Sequence, residues 1–122
     1  MGRPFDADKR RYIRYEVLEY ALVNVPNVLE PVNVVVVNIG LGGLQVRSRE
    51  SLPVGQVCHL HIPMIDRPSV VLPGEIRHSV PVEGSDLVST GIRFRPKSHE
   101  DRIAIAEYVH AVFQRQCDLL VM

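Results

Sequence analysis

Tryptophan is absent from this chain, and three Phe and four Tyr are its only other large aromatic rings. Stacking platforms of the kind a single-stranded nucleic-acid binder needs are therefore sparse. Net charge is absent as well: 14 basic residues balance 14 acidic ones, which argues against general binding to a polyanion. Cysteine is scarce, with Cys58 and Cys117 far apart and no CxxC pair, so no disulfide framework is indicated. No apolar run exceeds four residues, as in VVVV at 34–37, against the roughly 20 a membrane-spanning helix requires. The first residues, MGRPFDADKRR, lack the apolar stretch of a secretory leader, and a reduced, cytoplasmic setting is expected. Internal repeats and low-complexity linkers are also missing.

What is present is an ordinary globular composition. A chain of 122 residues, 46% of them hydrophobic, suffices for one domain and one core. From Glu16 to Phe94, short runs rich in β-branched residues alternate with Gly, Pro and Asn breaks, the rhythm of an all-β barrel or sandwich. Six strands are expected, near 16–25, 32–39, 43–49, 56–63, 69–79 and 88–95. HLHIPM and GIRFRP alternate apolar with polar, as half-buried strands do. The pattern then changes period. Ser98 is a good N-cap with acidic residues just after it, and Ile103, Ala106, Val109 and Phe113, widened by Ile105 and Val112, form a helical stripe. One helix over about 98–116 should close the chain, its stripe covered by the barrel or by a partner's helix. The expected layout is a flexible segment 1–9, a single domain 10–116 and a tail 117–122.

Two stretches depart from this plain pattern. DKRRYIRYEV places Lys9, Arg10, Arg11 and Arg14 within six residues of a neutral chain, which suits a compact anion. NIGLGGLQVRS at 38–48 sets Gly40, Gly42 and Gly43 between two apolar runs. It implies a turn with positive φ, where backbone approaches something closely. Either stretch alone is more often structural: a solvated basic edge, or a hairpin turn. No phosphate-loop lysine follows the glycines.

Together the two stretches resemble the PilZ family, bacterial domains that bind cyclic di-GMP. That family's pattern is RxxxR, then (D/N)xSxxG, then a late GI(R/K)F strand ahead of a C-terminal helix. Arg10 and Arg14 supply the first motif. Asn38, Gly40 and Gly43 fall on the second, and TGIRF at 90–94 on the third. The match runs from about Asp8 to about Gln116, with Gly40 standing where the family has Ser. The resemblance implies a six-stranded antiparallel β-barrel of PilZ type with a C-terminal α-helix. It also implies a cyclic di-GMP receptor or adaptor, with no cofactor, that signals to an effector protein when ligand orders its N-terminal RxxxR segment.

The chemistry agrees with this resemblance. Cyclic di-GMP carries two phosphodiester charges and two guanines, and arginine forks onto phosphate oxygens or onto guanine O6 and N7 as lysine does not. Arg10 and Arg14, with Lys9 and Arg11 adding charge, would clasp the ligand against Gly40, Gly42 and Gly43. The Asn38 amide offers a donor and an acceptor to a guanine edge. A basic residue just before RxxxR accompanies a stacked pair of nucleotides in the family, and Lys9 holds that place.

Enzymatic readings find little support. His59 and His61 share a strand face with Cys58 near in sequence, but isolated histidines on such a face are usually solvated, and no HExxH pattern is present. No catalytic residue or metal ligand is assigned, and no membrane or nucleic-acid polymer is expected as partner. A homodimer is compatible with the helix stripe. The competing reading is a divergent PilZ-like domain that has lost nucleotide and serves as a protein-interaction module, for which Gly40 is the motive.

Overall fold

In a computed structural model of the chain, residues 14–28, 30–64 and 68–120 are described. They form β1 (Arg14–Asn24), β2 (Val32–Gly40), β3 (Gly43–Ser48), β4 (Val57–Ile62), β5 (Val70–Pro81), β6 (Val88–Phe94) and α1 (His99–Leu120). The strands close into an antiparallel barrel in the order β1-β2-β3-β6-β5-β4, with β1 pairing β4 to seal it. All six expected strands are found, with ends displaced by two residues at most.

Alternation builds the core. Val34 and Val36 of β2, Leu44 and Val46 of β3, and Cys58, Leu60 and Ile62 of β4 are buried inside the barrel. His59 and His61 face outward on β4, as period-two geometry requires. Burial raises the Cys58 thiol to about 11, consistent with a structural rather than a nucleophilic cysteine.

Three register shifts interrupt the alternation: on β1 between Glu16 and Glu19, on β2 between Val36 and Asn38, and on β5 between Ile76 and His78. Each sets one extra residue against its neighbouring strand, the mark of a β-bulge. On β2 the bulge lets Val36 and Ile39 both point inward and moves Asn38 to the outer face. On β5 it leaves both Arg77 and His78 exposed after buried Ile76.

The helix begins as the sequence indicates. Asp101 donates its backbone N–H to Ser98 Oγ at 3.0 Å, and Asp101 Oδ2 accepts from Lys97 N–H at 2.9 Å, a reciprocal cap. Its buried face differs from the expected stripe. Ile105, Tyr108, Val109 and Val112 are covered by the barrel, whereas Ile103 and Phe113 are 43% and 41% exposed. The expected stripe was centred one helix edge away because it left out Tyr108, whose hydroxyl makes it look amphipathic yet which lies 1% exposed. The helix also continues to Leu120, through most of the segment expected as a tail. Among the described residues, no helix is long and apolar enough to cross a membrane.

A clamp ties α1 to β1. The Tyr108 hydroxyl donates to Glu19 Oε1, and Arg115 grips both Glu19 oxygens at 3.1 and 3.3 Å. Burial, then the bond to Glu19, pushes the Tyr108 phenol well above its ordinary range. Gln116 Nε2 donates to the Glu16 carbonyl at 3.0 Å, and the Tyr15 ring meets Phe113 at a centroid distance of 5.5 Å.

Candidate functional site

The start of β1, the end of β2 and the start of β3 converge on the outer face of the barrel. Arg14 pairs with Gly40 across β1 and β2, and Gly43 pairs with Arg93 across β3 and β6. Residues from sequence-distant motifs thus share one rim.

A chain of side-chain hydrogen bonds crosses four strands there. Arg14 Nε donates to Asn38 Oδ1 at 2.8 Å, Asn38 Nδ2 donates to Gln45 Oε1 at 3.0 Å, and Gln45 Nε2 donates to Ser89 Oγ at 2.6 Å. Arg14 has only one Nε–H, which Asn38 takes, and among the described residues no bond engages its terminal nitrogens, which carry four donors. Partial burial draws the Arg14 guanidinium below its ordinary value, though a guanidinium stays charged at any physiological pH.

Beside this relay lies an open groove of about 240 Å³, lined among others by Arg14, Gly43, Gln45, Arg77, His78 and Arg93. None of its lining residues is acidic. Three guanidiniums, an imidazole and an amide around one hollow favour an anion with hydrogen-bonding edges. The Glu75 carboxylate lies 3.1 Å from Arg95 and 3.8 Å from Arg77, a negative charge beside this cluster. His78 rests on β6: a Cβ built on Gly91 would come within 2.1 Å of the imidazole Cε1. The ring therefore sits on bare backbone and forms part of the groove wall.

A larger hollow of about 380 Å³ lies between β1 and α1. It is lined by Glu16 and by Glu19, which Tyr108 and Arg115 already engage. Carboxylates there disfavour an anion, and no sequence motif points to it.

The expected site residues fall as follows. Arg14, Asn38, Gly40, Gly42 and Gly43 come together at this rim, while Lys9, Arg10 and Arg11 lie outside the described residues. One expectation is corrected. Positive φ occurs at Asn27, Gly55 and Gly84, not at the glycines of the 40–43 turn. Gly43 is required by space instead, since a Cβ there would stand 2.2 Å from the Ile92 carbonyl oxygen. The close approach is real, but the object approached is strand β6, and the Gly42 carbonyl accepts from Phe94 N–H at 2.9 Å. The Asn38 amide engages Arg14 and Gln45, each through one of its two lone pairs or two N–H groups.

Sequence reasoning missed Gln45, Arg77, His78 and Arg93. Arg93 and Gln45 were accessible to it, because each sits at an outward position of an alternating strand. Arg77 and His78 were not, because regular alternation allows only one of two consecutive residues to face out, and the bulge on β5 turns both.

Comparison with known proteins agrees with the barrel fold. The family model for the PilZ domain matches residues 8–111. No curated protein matches the chain by sequence. Among solved structures, the inhibitor of motility MotI/DgrA of Bacillus subtilis superposes with TM-score 0.66 at 17% identity, over 89% of this chain and 52% of that one. The PilZ domain of YcgR from Escherichia coli, solved with c-di-GMP, gives 0.68 at 11% identity, over 92% and 97%. The c-di-GMP complex of MrkH from K. pneumonia gives 0.67 at 10%, over 89% and 54%. This chain therefore spans about half of the Bacillus subtilis protein and nearly all of the isolated YcgR domain.

Proposed function

Since the chain belongs to the PilZ domain family, we propose that it is a receptor for cyclic di-GMP, acting in the cytoplasm as an adaptor toward an effector protein rather than as an enzyme. One observation carries the reading. Arg14, the second arginine of RxxxR, is held by Asn38, the first residue of the glycine motif, at the edge of a groove whose other walls are Arg77, His78 and Arg93. The solved relatives YcgR and MrkH are both described with c-di-GMP, which supports the same ligand here.

At about 240 Å³ the groove is smaller than the roughly 300–1,000 Å³ of ordinary small-molecule sites, so it supplies one wall. In this reading Lys9, Arg10 and Arg11 close over the nucleotide from the other side. Gly40, Gly42 and Gly43 keep the rim low, and His78 offers a face to a guanine. The hydroxyl missing at Gly40 removes one neutral hydrogen bond, worth roughly 0.5 to 1.5 kcal/mol, too little to abolish a site with this many cations. The alternative, an interaction module without nucleotide, draws only on that glycine. Calorimetric titration of the purified chain with cyclic di-GMP, beside a linear dinucleotide control, tests the proposal. Selective heat with the cyclic ligand is expected, and no binding of either would leave the interaction module.

A further inference from the structure

Helix α1 carries a second stripe that the barrel covers only at one edge, where Phe113 meets the Tyr15 ring. Its buried residues are Ile105, Tyr108, Val109 and Val112. Ile103, Ala106, His110, Phe113 and Cys117 recur at intervals of three, four, three and four residues, the a/d pattern of a two-stranded coiled coil. At 3.6 residues per turn this stripe lies roughly 120° around the helix from the buried one. Ile103 and Phe113 are 43% and 41% exposed, Ala106 and His110 are exposed, and Cys117 is half-buried. We infer that this stripe is a self-association surface, on which two copies of the chain pair their C-terminal helices in parallel.

Charge identifies the occupant as a second copy. With Ile103, His110 and Cys117 at a and Ala106 and Phe113 at d, Arg102 takes position g and Glu107 position e. Both are exposed. A parallel pair sets each g beside the e five residues on in its partner, so Arg102 meets the second copy's Glu107 twice over by symmetry. An antiparallel pair sets g against g and e against e, and loses both ion pairs. The two-fold axis of the parallel pair sends the barrels to opposite sides, because each barrel sits about a third of a turn from the seam. The seam from 103 to 117 spans only about two heptads and places a histidine at a, so the dimer is expected to be weak and dependent on concentration.

The test uses the full chain without nucleotide, so its outcome is independent of the receptor reading. Sedimentation at rising protein concentration should show a monomer–dimer equilibrium. Mild oxidation, or a short bismaleimide linker, should capture a covalent dimer through facing Cys117 residues, because Cys58 is 1% exposed. Cys117→Ser should abolish the covalent product while leaving the sedimentation dimer. Arg102→Glu should weaken association severalfold, and adding Glu107→Arg should restore it. A chain that stays monomeric at every concentration overturns the inference. So does a dimer that Cys117 cannot crosslink, or a charge reversal that the second substitution does not rescue.

Discussion

In the proposed receptor, Arg14 would be a ligand arm that Asn38 holds in place before the ligand arrives. A guanidinium on a flexible stem loses considerable rotamer entropy when it is fixed, and the 2.8 Å bond to Asn38 bears part of that loss in the free protein. Arg14→Ala should therefore weaken cyclic di-GMP binding by about 1.5 to 3 kcal/mol, tenfold or more. Arg14→Lys should recover little, because an ammonium cannot hold Asn38 and fork onto the ligand at once. Calorimetry on both variants checks this, and an unchanged affinity in Arg14→Ala would remove the arm from the site. Two glycines give a sharper contrast. In Gly43→Ala the new methyl meets a backbone carbonyl at 2.2 Å, whereas in Gly91→Ala its nearest neighbours are atoms of the exposed His78 ring, which can swing away. Gly43→Ala should lower stability by about 1 to 3 kcal/mol. Gly91→Ala should cost less stability yet still lower affinity by displacing His78. Urea midpoints read beside calorimetry separate the two, and equal destabilisation would contradict the geometry.

Among the elements, β1 has two employments: its first residue faces the groove, while Tyr15, Glu16 and Glu19 hold α1. The strands themselves were readable in the sequence because β-branched residues and period-two alternation are local signals. The bulges were not, because an extra residue is defined only against a partner strand, and it is the bulges that turn Asn38, Arg77 and His78 to the site face. The buried face of α1 was legible only in part, since whether a tyrosine is core depends on Glu19, 89 positions away, being there to accept its hydroxyl. That pairing has a pH signature. Cys58 and Tyr108 both hold their protons more tightly in the folded chain than in an ordinary environment. Their stabilisation is complete below about pH 8.5 and is lost as pH rises, because the unfolded chain ionises first. For Cys58, a shift from 9.0 to about 11 corresponds to about 3 kcal/mol across that interval. Urea midpoints should fall steeply above about pH 9. Tyr108→Phe should reduce stability at neutral pH and flatten the slope above about pH 10, and a midpoint independent of pH up to 11 would contradict the burial of both groups.

At the scale of the whole molecule, the groove and the helix are joined through one strand. If cyclic di-GMP immobilises Arg14, the adjoining residues 15–19 lose freedom with it, and so do their partners Tyr108, Phe113, Arg115 and Gln116. Amide exchange should therefore slow on ligand addition not only at residues 8–16 but also along 108–118, while β4, which meets β1 only at its far end through Leu22–Asn24, should change little. Protection confined to the N-terminal residues would show that the helix does not sense the site. The number of nucleotides follows from charge. One cyclic di-GMP brings two negative charges, which Arg14, Arg77 and Arg93 at the groove balance even with the Glu75 carboxylate set against Arg77, so the further cations Lys9, Arg10 and Arg11 are more than a single ligand needs. A stacked pair brings four, and their mutual repulsion is offset only when such cations surround them. The expected stoichiometry is two nucleotides per chain, falling toward one in Lys9→Leu. Saturation at one in the unaltered chain would assign the surplus charge to something other than a second nucleotide.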